Sequence, residues 1–274
     1  MSLVVNSNQS SLGSQRLLSN ATSGLNATFE KLSSGYRINR AADDAAGLVI
    51  TGTLQNQISG LNQAVRNASD AISLLQVTDG AMDEMANSLQ RMRVLTIQAH
   101  NGVNTIADKQ ALQQEFDELR QGINAIAEKT EFAGIRLLDG SAGSLDFLVG
   151  ANAGQKVSIE LSSSYSTAAA GLNLDGLSLV DDDTEDILQR IDAALMQTDE
   201  ARTDYGAQQN AMISTIKNLS NISENVSASR SRIKDTDYAK ETTELTRVQI
   251  IQESSTSVLA QANQRPQAAL AVLR

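Results

Sequence analysis

Apolar positions divide this chain into two matched ends around a small middle. At about 100° per residue, Leu3, Val4, Leu17, Leu18, Ala21, Leu25, Phe29 and Leu32 share an arc of roughly 140°. Ser33, Ser34 and Gly35 follow as a helix stop, with Gly35 suited to a left-handed cap. The other end mirrors it. Leu245, Val248, Ile251, Val258, Leu259, Ala262, Ala269, Leu270 and Leu273 also lie within roughly 140° of one another. Pro266, the only proline, falls inside that arc and predicts a local kink or loosening. Both ends therefore read as amphipathic helices with a face to bury, which is unusual for a chain terminus.

Inside them a seven-residue spacing takes over. Leu54, Leu61, Ala68, Leu75, Met82, Leu89 and Thr96 form one unbroken series, with Ile58, Val65, Ile72 and Ala86 as a second seam position. Ile191, Thr198, Tyr205, Met212, Leu219, Val226 and Ile233 repeat it near the other end. Heptads sustained this long favour coiled-coil packing. Leu112, Phe116, Leu119, Ile123 and Ile126 supply a third helix that folds back. Between them, Leu145–Leu161 alternates at Val157, Ile159 and Leu161 around Gly150 and Gly154, a hairpin pattern. The following Ser/Ala/Gly-rich stretch predicts a surface loop with little core, tolerant of insertion over Ser162–Gly176. The predicted fold is mainly α: a long coiled-coil-like helical rod with a small β-hairpin, plus a terminal two-helix coiled coil. Residues 1–42 form the N-terminal helix and linker, 43–235 the rod, and 236–274 the C-terminal helix. Within the rod, helices cover 43–101, 105–131 and 183–233, and the hairpin and loop about 135–180.

Charge and composition narrow the function. Thirty-two acidic against twenty-two basic residues leave a net charge of −10, which argues against nucleic-acid or anionic-membrane partners. There is no Cys, hence no disulfide or thiolate chemistry. The first twenty residues lack the basic and apolar regions of a cleaved secretory signal. Asn20, Asn26, Asn67 and Asn221 head Asn-x-Ser/Thr triplets of the kind an Asn/Ser-rich chain produces by chance.

Candidate chemistry is sparse. His100 is the only histidine and has no Cys or second His to share a metal. Asp181–Asp186, "DDDTED", lacks the glycine and ligand spacing of a calcium loop and reads as helix N-terminal capping. The glycines at 134, 140, 143, 150 and 154 match no phosphate loop, and no serine has a base in a recognisable motif. No catalytic residue, metal or cofactor is predicted. The Leu32–Ile50 stretch is more informative. Arg37, Arg40, Asp43 and Asp44 crowd together beside Ala41, Ala42, Ala45, Ala46 and Gly47, and opposed charges with small neighbours predict a contact surface that sets register. Ser162, Ser163, Ser164, Ser166 and Thr167 in the predicted loop are candidates for O-glycosylation.

Three stretches carry a family resemblance: "LSSGYRINRAADDAAG", "LQRMRVLTIQAHN" and "SRSRIKDTDYAKETTELTRVQIIQESSTSVLAQANQRPQAALAVLR". They resemble bacterial flagellin, in order, over roughly residues 1–140 and 180–274. The resemblance implies an extracellular, self-assembling subunit of the flagellar filament, exported unfolded by the type III flagellar apparatus with an export chaperone and without a cleaved signal. It also implies hook-associated and cap proteins as partners. Paired terminal helices would form an inner tube and paired rods an outer one, with Leu259 and Leu270 among the subunit contacts. The short middle resembles a minimal flagellin without large outer domains, and no HExxH motif of the enzymatic members occurs. Arg91, Leu95 and Glu115 match the family's contacts with the host flagellin-sensing Toll-like receptor, and Arg91 and Leu95, four residues apart, are expected on one helix face. Val94 stands where stimulatory members usually carry Glu. Two other readings are a hook–filament junction protein, which shares such ends but forms a short ring, and a soluble coiled-coil receptor ligand.

Overall fold

A computed structural model describes residues 7–272, with side chains through Pro266. Leu3, Val4 and Leu273, and the side chains of Ala269 and Leu270, lie outside the described residues. The helices are α1 (Gln9–Ser34), α2 (Ala45–Ala99), α3 (Ile106–Lys129), α4 (Thr184–Lys234) and α5 (Tyr238–Val272). The strands are β1 (Glu131–Phe132), β2 (Ile135–Arg136), β3 (Gly143–Leu148) and β4 (Lys156–Leu161). Two compact units form: the residues up to Asn56 with those from Asn225 on, and Gln57–Glu224. This division cuts within α2 and α4, whereas the sequence boundaries at 42 and 235 sit at helix ends. Within the first unit, Arg37 donates to the Ile233 carbonyl, which ties the end of α4 to the stretch after α1, and Arg230 donates to Gln55, which joins α4 to α2.

In the first unit, α1 and α5 run antiparallel. Asn8 caps α1, its Oδ1 accepting from Ser11 N at 3.1 Å. Gly35 ends α1 in the left-handed region, φ 73°, donating to the Lys31 carbonyl as the sequence predicts. The buried or half-buried seam is Ser11, Ser14, Leu18, Ala21, Leu25, Thr28 and Leu32 on α1. Glu241, Leu245, Val248, Gln252, Ser255, Leu259 and Ala262 face it from α5. Both series step three and four residues, a heptad seam made largely of small and polar side chains. Leu17 and Phe29, and Ile251 and Val258, belong to the predicted apolar arcs yet are exposed. A two-helix seam covers a narrower stripe than either arc, so part of each arc stays outside it.

The helix runs through Pro266 rather than stopping there. Proline has no N–H to give the carbonyl four residues back, which is that of Ala262. Asn8 Nδ2 donates to that oxygen at 2.7 Å. One side chain thus caps α1 and supplies the bond that Pro266 withholds from α5. Beyond the helices, Tyr36 and Asp235 form an isolated antiparallel bridge, with Arg37 N donating to Lys234 O at 2.7 Å. Ile38 is buried there, and a Cβ on Gly47 would come within 2.6 Å of its Cδ1, so only glycine fits without a shift.

In the second unit, α2, α3 and α4 bury the predicted heptads. Ala68, Leu75, Met82 and Leu89 share one core with Ile191, Tyr205 and Met212, which Phe116 and Ile123 join from α3; Thr96 and Thr198 are buried in the same series, and Leu61 and Leu219 form a smaller cluster with Ala64. Of the expected second seam of α2, Ile58 and Ala86 are buried and Val65 and Ile72 half-buried, while Ala64, Ala71, Thr78, Met85, Met92 and Ala99, three residues on from the first series, are buried as well. Buried Thr78, Thr96 and Thr198 each donate to the carbonyl four residues back, at 2.8 to 2.9 Å.

β3 and β4 form the predicted hairpin, with Leu145 opposite Ile159. β1 and β2 form a second one, turned by Ala133 (φ 51°) and Gly134 (φ 82°), a two-residue turn with both positions left-handed. The stretch after β4 is not a loose surface loop. Tyr165, Thr167, Leu172, Leu174, Leu177 and Leu179 are all buried. Its backbone is also tied down: Tyr165 N to Leu138 O, Leu172 N to Ser166 O and Leu174 N to Thr167 O, each at 2.8 Å. Gln113 of α3 grips the Leu177 carbonyl and the Leu179 N–H. These leucines bury themselves without regular secondary structure, so no period announces them.

Candidate assembly surface

The charged linker is wired differently from the expected Arg–Asp opposition. Arg37 Nη2 donates to Ile233 O at 2.6 Å, and Arg40 Nε pairs with Glu30 at 2.8 Å in an exposed contact. Asp43 accepts from the Arg40 N–H at 2.9 Å and the Asn39 N–H at 3.0 Å. Those two bonds, Arg40's first, lower its pKa. Asp44 accepts from Gly47 N at 2.8 Å at the start of α2. The two aspartates order backbone rather than neutralise the arginines, and the exposed Arg40–Glu30 pair is worth about 0–1 kcal/mol.

Apolar exposure marks a different surface of the first unit. Leu12, Leu17 (57% exposed) and Phe29 (48%) stand outside the seam of α1, and Ile250 (61%), Ile251 and Val258 outside that of α5. Leu259 is half-buried in the seam. In effect the pair turns small and polar side chains inward and several of its largest apolar ones to solvent. These exposed apolar side chains, on both flanks of the seam, are the candidates for a contact with another chain. The sequence arcs contain Leu17, Phe29, Ile251 and Val258, but periodicity alone does not divide an arc between an internal seam and an external contact.

On the second unit, Arg91 Nε pairs with Glu115 at 2.7 Å across α2 and α3, both half-exposed. Leu95 is 0% exposed and belongs to the core, so it does not share an accessible face with Arg91. Val94 beside it is exposed. Arg202 of α4 reaches Asp79 at 3.0 Å and Asp83 at 2.8 Å on α2, and Arg93 reaches Asp192 at 2.7 Å. The pairs between α2 and α4 are invisible in one dimension because their partners lie about a hundred residues apart.

Ser162 and Ser163 are exposed, while Ser164 and Ser166 are half-buried and hydrogen-bonded to each other at 3.1 Å. Thr167 is buried, its hydroxyl donating to Asp175 at 2.9 Å, and is removed from the glycosylation candidates. His100 Nδ1 lies 2.9 Å from the Thr184 hydroxyl. Glu185 and Asp186 stand in the first turn of α4. Among the described residues no three His, Cys, Asp or Glu side chains gather as metal ligands, and no helix is long and apolar enough to cross a membrane.

A terminal helix pair with apolar groups on its outside, followed in the chain by a heptad-packed helical unit, defines a mainly α-helical structural protein. Residues 5–143 match the family profile of the bacterial flagellin N-terminal helical region, and residues 188–273 that of the C-terminal helical region. Flagellin of Halalkalibacterium halodurans is 42% identical over 277 residues, covering 99% of this chain and 100% of that one. Flagellin B of Vibrio anguillarum is 37% identical over 375 aligned positions that take in all of both chains, so it carries inserted sequence this chain lacks. The crystal structure of Bacillus cereus flagellin matches with a TM-score of 0.50 and 30% identity, over 56% of this chain and 88% of that one. A hook-associated protein of Vibrio parahaemolyticus shares the fold, with a TM-score of 0.60 at 14% identity, over 70% of this chain and all of that one. The chain belongs to the bacterial flagellin family, whose members build the flagellar filament outside the cell.

Proposed function

We propose that this flagellin polymerises through the outward faces of α1 and α5, with Leu12, Leu17, Phe29, Ile250, Ile251 and Val258 covered by neighbouring copies. The observation that supports this is their exposure beside a seam whose fully buried positions are mostly Ser, Thr and Ala. The linker with Arg37, Arg40, Asp43 and Asp44 holds α1 in register with α2. The chain leaves the cell through the flagellar export apparatus, escorted by a chaperone, and meets the hook-associated and cap proteins on the filament. Toward the host receptor, the exposed Arg91–Glu115 pair supports the reading and buried Leu95 does not. Ser162 and Ser163 are the accessible glycosylation positions.

The test is the double substitution Leu17→Ser, Phe29→Ser. The monomer should keep its helical content by circular dichroism but fail to form long filaments by electron microscopy. Wild-type protein should form them. Normal filaments from the variant would refute the surface, and short rings from the wild type would favour a hook–filament junction protein.

A further inference from the structure

We propose that the turn between α2 and α3 carries a self-modifying site, at which Asn101 deamidates through its own backbone. Asn101 is the only asparagine followed by glycine in the chain. It lies just past the end of α2, where Asn104 N donates to Asn101 O at 3.0 Å and closes a tight turn. Asn101, Gly102 and Val103 are exposed, so water reaches the site. Among the described residues no protein group accepts from the Gly102 N–H, in contrast to the amides that follow Asn67 and Asn87 inside α2. Gly102 has no side chain to hinder approach. Val103 N also points to the Asn101 Oδ1, at 3.4 Å.

These features serve one reaction. The Gly102 nitrogen gives up its proton to solvent base and attacks Cγ of Asn101. Negative charge develops on Oδ1, where the Val103 N–H is placed to meet it. The C–N bond to Nδ2 breaks, the nitrogen takes a proton and leaves as ammonia, and a five-membered succinimide remains. Water then opens either carbonyl, giving aspartate or isoaspartate at 101. The net change is one water consumed and one ammonia released, with no oxidant or other reactant. Each event adds one negative charge to a chain already at −10, and isoaspartate also lengthens the backbone by one carbon between α2 and α3.

Full-length protein incubated at mildly alkaline pH and digested with trypsin tests the proposal. The peptide running from Val94 to Lys109 holds both Asn101 and Asn104, so Asn104 is an internal control. Tandem mass spectrometry should show the NH-to-O mass change at residue 101 and not at 104, with isoaspartate confirmed by enzymatic methylation of the new carboxylate. Gly102→Ala, at a position where an added Cβ meets nothing within 4 Å, should leave helicity intact and slow the reaction by roughly an order of magnitude. Equal modification at Asn104, an unchanged rate in Gly102→Ala, or no mass change would each overturn the proposal.

Discussion

Replacing Asn8 with alanine removes two hydrogen bonds that lie on different helices. The first is the cap on α1, from Ser11 N to Oδ1, and such a loss costs about 1 kcal/mol. The second is the bond from Nδ2 to the Ala262 carbonyl, which Pro266 leaves without its helical partner. An unsatisfied buried acceptor costs about 1–3 kcal/mol; this site is half-buried, so the lower end applies. The total for Asn8→Ala is then about 2 kcal/mol. In a Pro266→Ala background residue 266 regains an N–H, which reaches Ala262 O along the helix. There Asn8→Ala should cost only the cap, about 1 kcal/mol. Asn8→Asp separates the roles, since it keeps the capping oxygen and loses the donor.

The assay is native-state hydrogen exchange on the amides of α1 and α5, which reads local stability without requiring the whole chain to unfold in two states. A coupling of about 1 kcal/mol should appear as roughly a fivefold smaller loss of protection in the Pro266→Ala background. An Asn8→Ala effect of the same size in both backgrounds would show that Asn8 and Pro266 are independent, and the reasoning would fail. So would an Asn8→Asp variant as stable as wild type.

Three further outcomes concern the second unit. Leu174→Ala, at a fully buried position after β4, should destabilise that unit by about 2–5 kcal/mol, read as a lower denaturation midpoint. An epitope tag inserted after Ser164 should also destabilise it, while one at the exposed tip of the β3–β4 connection, residues 152–154, should not. Asp108 has its pKa lowered by the Thr105 side chain first and the Thr105 N–H second. A depressed folded pKa means that its contribution to capping α3 is complete above about pH 3.9 and is lost as pH falls through the lower folded value. Carboxyl titration by NMR should place Asp108 below ordinary aspartates, and Thr105→Ala should return it toward them.

Much of this fold was legible because heptads leave a period that survives in one dimension. Leu61, Leu75, Met82 and Leu89, and Ile191, Tyr205 and Met212, are buried where their spacing puts them. Three features escaped for physical reasons. Leu172, Leu174, Leu177 and Leu179 pack through an irregular backbone held by Gln113 and by turns, so their spacing follows no helix or strand. The β1–β2 turn places Ala133 in a left-handed conformation usually given to Asn or Gly, so the usual hairpin signal is missing. The service that Asn8 performs for Pro266 joins residues from opposite ends of the chain, and neither residue announces the other. Leu95 failed as a surface candidate for a simpler reason: four residues along a helix share a face only if the core leaves that face open.

The contrast between the two interiors leads to a last expectation. In Gln57–Glu224 the fully buried side chains include Leu75, Met82, Met85, Leu89, Met92, Phe116 and Ile123. Each such residue contributes about 1.5–3 kcal/mol on burial. Between α1 and α5 the buried residues are Ser11, Ser14, Ala21, Thr28, Glu241, Val248, Ser255 and Ala262. Small and hydroxylated side chains return far less, and Glu241 Oε1 is buried without a hydrogen bond, with Lys31 Nζ 3.8 Å away. Helices of this kind depend on packing for their stability. In the monomer, amides of α1 and α5 should therefore exchange at least tenfold faster than those of α2 between Leu74 and Thr96, a difference of about 1.4 kcal/mol or more. Once Leu17, Phe29 and Ile250 are covered by neighbouring copies, the gap should narrow. Hydrogen–deuterium exchange on monomer and on sedimented filaments measures both states. Equal protection of the two units in the monomer would refute the claim that the small, polar seam is weak. A gap that persists unchanged in the filament would place the assembly contacts elsewhere than on α1 and α5.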